Sequence, residues 1–115
     1  MGAVPLHQQT TITTLPTPDR RQAVLLDSEL RGLARMSEAL DPDLVLRLAN
    51  EFFSFAADIV AAHGGEAVTS QHDMLLSAFL RGSPLQTSQQ AVRAAQRIQA
   101  DYPSLAEKWR IAYGL

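Results

Sequence analysis

Cysteine is absent from the 115 residues. That excludes disulfides and thiolate metal sites, and it leaves the redox compartment open. An excess of either charge is also missing: ten Lys and Arg stand against twelve Asp and Glu, for a formal net charge of −2. Such a balance creates no global field for nucleic acid or anionic lipid, so neither is an expected partner. No apolar run approaches the roughly 20 residues that a membrane-spanning helix needs. The N-terminus lacks the basic-then-apolar plan of a secretory signal, so the cytoplasm is the expected location. No internal repeat is present. What remains is a chain 46% hydrophobic, long enough for one domain with a real core.

Residues 1–19 are rich in Thr, Gln and Pro. They read as a flexible leader, with Thr10–Leu15 able to add an edge strand because its residues are β-branched. The domain proper is expected over 20–115. Ala23–Leu26 forms a short apolar strand core ended by Asp27, with Arg20-Arg21 as a charged lead-in. Leu30, Leu33, Met36 and Leu40 repeat at spacings of three and four, which predicts a short helix. Asp41-Pro42 breaks it and starts the next one, because Asp caps well and the first helical position needs no N–H. Val45, Leu48, Phe52, Phe55, Ala56, Ile59 and Val60 make a broad apolar stripe, so this helix runs to about His63. Gly64 then takes the left-handed C-terminal position.

Glu66–Ser70 and Met74–Leu80 read as a hairpin, and the second of these strands is apolar enough to be covered on both faces. A third helix is expected from Pro84 or Thr87 to about Ala100, with Pro103 ending the region. Trp109, Ile111 and Tyr113 alternate with Lys108, Arg110 and Ala112, the pattern of a half-buried strand. The resulting order is βααββαβ. It defines an α+β fold, a ferredoxin-like four-stranded antiparallel sheet packed with helices on one face.

Several short motifs fall in a recognisable order. They are Leu30-Arg31-Gly32-Leu33, Leu48-Ala49-Asn50-Glu51-Phe52-Phe53, His63-Gly64-Gly65, and the ungapped run from Val68 to Phe79. Together they resemble the first half of a class III adenylate/guanylate cyclase catalytic domain. The likeness covers about Arg20 to the C-terminus. In that family two carboxylates hold two divalent ions against a nucleoside triphosphate, and the ions activate the ribose 3′-hydroxyl. The resemblance puts Asp73 at one metal position and Glu29 at the other, with Asp27 as the alternative if the strand is shifted by two. Oxygen ligands suit Mg²⁺ or Mn²⁺. The nucleotide-contacting positions fall on Leu33 and Ala34 in the phosphate-cradling turn, on Thr69 where the family reads the purine with Lys, and on His72 where the family has Gly.

Those departures matter, and so does the end of the sequence. The family's second purine-reading residue, and the Asn and Arg that stabilise its transition state, have no counterpart before Leu115. The expectation is a catalytically inactive cyclase-like domain with no resident cofactor. It would act in signalling by homodimerisation or by pairing with another cyclase-like domain. The alternative is the metal-binding half of a cyclase, forming cyclic nucleotide from ATP or GTP when a complementary partner supplies the rest. Each residue also has a plain structural role. Asp73 suits a hairpin turn, Glu29 a helix start, His72 a surface turn, and Phe52, Phe53 and Phe55 a core or a dimer surface.

Overall fold

The computed structural model describes residues 6–16, 22–71 and 73–115. The expectations for Arg20-Arg21 and His72 lie outside the described residues. The elements are β1 (His7–Pro16), β2 (Gln22–Arg31), α1 (Leu33–Met36), α2 (Pro42–Ala62), β3 (Glu66–Gln71), β4 (Met74–Phe79) and α3 (Pro84–Tyr113). The strands form one antiparallel sheet in the order β1-β2-β4-β3. The fold is therefore α+β.

Its order, ββααββα, differs from the ferredoxin-like βααββαβ at both ends of the chain. At the front, His7–Pro16 is a strand that pairs with β2 along its whole length, from His7 opposite Arg31 to Pro16 opposite Gln22. At the back, there is no strand at Lys108–Tyr113. α3 runs on through Pro103 to Tyr113. Burial gives the reason. A strand would put Trp109 and Ile111 on one face, yet Trp109 is 2% exposed and Ile111 73%. Ala91, Ala94, Ile98, Tyr102 and Trp109 instead follow helical spacing into the core. An interior proline costs a helix about 3 kcal/mol. Burying Tyr102 and Trp109 on either side of Pro103, each worth several kcal/mol in large aromatic surface, offsets that cost. Trp109 also donates its Nε1–H to Glu51 Oε2 of α2 at 2.6 Å, which ties the far half of α3 to the rest.

The first strand is longer than Ala23–Leu26, and α1 is shorter than Leu30–Leu40. β2 continues past Asp27 to Arg31, and Gly32 turns the chain at φ 90°. Leu30, which matched a helical spacing, is a strand residue with its side chain fully buried. α2 matches its signals closely. The Asp41 side chain accepts from Asp43 N at 2.9 Å, Pro42 occupies the first turn, and Gly64 follows the helix at φ 85°. α3 starts with a reciprocal capping box between Ser83 and Gln86, which satisfies two otherwise unpaired N–H groups.

One face of the sheet carries the helices. Val24, Leu26, Ser28 and Leu30 of β2, with Leu75, Ser77 and Phe79 of β4, are buried there. They meet Leu48, Phe52, Ala56 and Val60 of α2 and the buried side of α3. Among the described residues the opposite face has no helix on it, so β4 is covered on one side rather than two.

Candidate functional site

The alternation of β2 decides what the open face displays. With Val24, Leu26, Ser28 and Leu30 turned to the helices, Leu25, Asp27 and Glu29 turn the other way. The register sets Leu25 opposite Ala78, Asp27 opposite Leu76, and Glu29 opposite Met74. The open face thus has an apolar strip, Leu25, Leu76 and Met74, each partly exposed, with the buried Ala78 opposite Leu25 and Ala23 beyond it. Thr11 and Thr13 of β1 border it on one side, and Thr69 and Gln71 of β3 on the other. Carboxylates gather at one end.

Asp73 holds the hairpin tip against the end of β2, because Leu30 N donates to the Asp73 carbonyl at 2.8 Å. This backbone bond brings Asp73 beside the residues that the sequence paired with it. The Asp27 carboxyl is held above the usual carboxylate range. Desolvation is the main cause, followed by the negative charge and hydrogen bonding of Glu29 and then the charge of Asp73. One Asp27 oxygen, Oδ1, is buried without a hydrogen-bond partner. Arg31 approaches Glu29 at 3.9 Å, but both side chains are substantially exposed, so this pair relieves little of the repulsion.

These carboxylates suit a hard divalent cation in chemistry, since their oxygens are its preferred ligands. They fit it less well in geometry. Among the described residues no three His, Asp or Glu side chains converge closely enough to hold a metal ion. Asp27, Glu29 and Asp73 are near enough to feel one another and not arranged as a finished cage.

The remaining site residues spread over two surfaces. A cleft of about 740 Å³ lies beside Asp73 and is lined by Leu33, Ala34, Ser37, Val45, Leu46 and Ala49 among others. Leu33 is only 4% exposed and belongs to the core cluster, while Ala34 is exposed. Thr69 sits on β3 opposite Leu76, next to a break in register, and faces the open side of the sheet. The structure therefore separates Thr69 from Leu33 and Ala34. The apolar strip itself was not singled out in the sequence, although the signal exists. Leu25, Asp27 and Glu29 alternate with Val24, Leu26, Ser28 and Leu30 once the strand is extended past Asp27.

Comparison with protein-family models, with curated proteins and with solved structures finds no match to this chain. No helix among the described residues is long and apolar enough to cross a membrane.

Proposed function

We propose that this is a non-catalytic, cyclase-like interaction domain that works in signalling by dimerising or by binding a related domain. The observation that supports this reading is the partly exposed apolar strip of Leu25, Met74 and Leu76, over which no helix of the described residues lies, on a sheet whose other face packs against α2 and α3. A sheet face of this kind gains free energy when a partner removes it from water, at about 25 cal/mol per Å² of apolar surface. The sequence departures point the same way. Leu33 serves the core, and Thr69 has neither the charge nor the reach of the Lys that the resemblance calls for. The partner is a second copy or another cyclase-like domain. Light scattering of the chain, alone and mixed with an intact class III cyclase domain, tests the proposal. Association lost in Leu76→Glu supports it. A chain that stays monomeric and unmixed refutes it.

A second reading is favoured by one specific feature, the gathering of Asp27, Glu29 and Asp73 at one end of the β2–β4 pair. Here the domain is the metal-binding half of a cyclase. Asp73 with Glu29 or Asp27 would hold Mg²⁺ or Mn²⁺, and the ions would lower the barrier to attack by the ribose hydroxyl. The chain's own residues would bind and orient the metal, and a partner would supply the transition-state Asn and Arg. Calorimetry with Mn²⁺ and a non-hydrolysable nucleotide tests this. Heat that disappears in Asp73→Asn supports it, and no heat at millimolar ligand ends it.

A further inference from the structure

Among the described residues β1 is an edge strand, and no strand pairs on its outer side, since the sheet order begins at β1. Its outer N–H and C=O groups form a ready template for another strand. Proteins usually blunt such an edge with charge, internal proline or a bulge. His7–Pro16 contains no Asp, Glu, Lys or Arg, and its proline is the last residue. Its ten pairs with β2 run without a shift in register. The opposite edge is built differently. β3 is six residues long, begins with Glu66, and breaks register between Ala67 and Thr69.

The centre of β1 strengthens the contrast. Thr10, Thr11, Ile12, Thr13 and Thr14 are five β-branched residues in succession, the side chains that best suit an extended backbone. Thr11 to Thr14 are all exposed, and Ile12 is 39% exposed. An uncharged, proline-free, β-branched run of this kind is what pairs edge to edge.

From this edge we infer that β1 pairs antiparallel with β1 of a second copy of the chain, fusing two four-stranded sheets into one of eight strands. The edge favours its own copy over an ionic partner because it carries no charge. A two-fold axis brings the same segment to both sides of the seam, and Thr–Thr pairs across it are favourable. The axis stands perpendicular to the sheet, so both open faces lie on one side. Leu25, Met74 and Leu76 then remain available to a further partner. The use of such a dimer rests on the interaction-domain reading, whereas the seam rests on β1 alone.

Sedimentation velocity of the full chain, from micromolar to millimolar, tests the seam in wild type, Ile12→Lys/Thr14→Lys, whose exposed positions lie away from the open face, and Ile111→Gln. Far-UV circular dichroism checks that each is folded. The wild type is expected to be a reversible dimer. The two lysines raise its dissociation constant about tenfold or more, and Ile111→Gln, an exposed change on α3, leaves it unchanged. Amide exchange of Thr10–Thr14 in the wild type slows as concentration rises. A dimer that survives the lysines overturns the seam and leaves the interaction reading standing. So does a wild-type monomer that still binds a cyclase-like domain. A chain that does neither overturns both, and exchange independent of concentration overturns the seam.

Discussion

Replacing Gly65 with Ala tests the packing between α2 and the hairpin at its tightest point. A Cβ at Gly65 would lie 2.6 Å from Phe79 Cε1, 2.7 Å from Phe79 Cζ and 2.8 Å from Val60 Cγ1. Phe79 and Val60 are both fully buried, so neither side chain can swing into solvent to make room. The backbone must move instead, and it joins the end of α2 to the start of β3. Overpacking a rigid core costs about 1–3 kcal/mol, and two immobile neighbours place this site near 3. With a urea m-value of about 1.5 kcal/mol/M for a domain of this size, the midpoint falls by roughly 2 M. Trp109, the single tryptophan, reports the transition by fluorescence. Gly114→Ala is the control, because a Cβ there meets nothing within 4 Å and only the left-handed backbone, φ 70°, resists it. That substitution should cost only about 1–2 kcal/mol. A Gly65→Ala protein within about 0.5 kcal/mol of wild type, the usual range of a neutral surface change, would refute the close approach of Phe79 and Val60.

Three other substitutions test separate parts of the account. Pro103→Ala should stabilise the domain by about 2 kcal/mol in urea titration, because alanine restores a helical N–H inside α3; a loss of stability would argue that the chain breaks there. Tyr102 has its hydroxyl buried without a partner, and burial pushes its pKa up to about 12. Its contribution to stability is therefore complete below pH 10 and lost as pH rises through about 12. Tyr102→Phe should remove part of that alkaline loss in thermal melts and leave neutral stability equal or up to about 1 kcal/mol higher; an unchanged alkaline profile would count against the buried hydroxyl. Asp27 is also an acid with a raised pKa, so its stabilising contribution is present below the ordinary carboxylate range and lost as pH climbs through the raised one. Asp27→Asn should add up to about 1 kcal/mol at neutral pH, the scale of a partly exposed charge interaction, and nothing in strong acid; equal gain at both pH values would contradict the charge-based cause.

The parts legible in the sequence were those carried by local chemistry. Asp41-Pro42, the apolar stripe from Val45 to Val60 and Gly64 define α2 with little outside help. Polar Ser70-to-Asp73 between two runs marks the hairpin. The parts that were misread are those settled by tertiary contact. Leu30 and Leu33 sit three apart, which suggests a helix, but Leu30 belongs to a strand, running on to Arg31, whose period-two pattern hides behind the charges of Asp27 and Glu29. Pro103 looked like a terminator because the burial of Tyr102 and Trp109 cannot be seen locally. The same holds at the site. Asp73 lies far along the chain from Asp27 and Glu29, and only the pairing of β2 with β4 brings them together. The periodicity of the residues alone does not show that meeting.

The central claim is that the scaffold around Asp27, Glu29 and Asp73 supports association and not chemistry. The most direct measurement is turnover of ATP and GTP by the isolated chain with Mn²⁺, in wild type and in Asp73→Ala. The account predicts no cyclic nucleotide from either protein. Cyclic nucleotide formed by the wild type and lost in Asp73→Ala would contradict it.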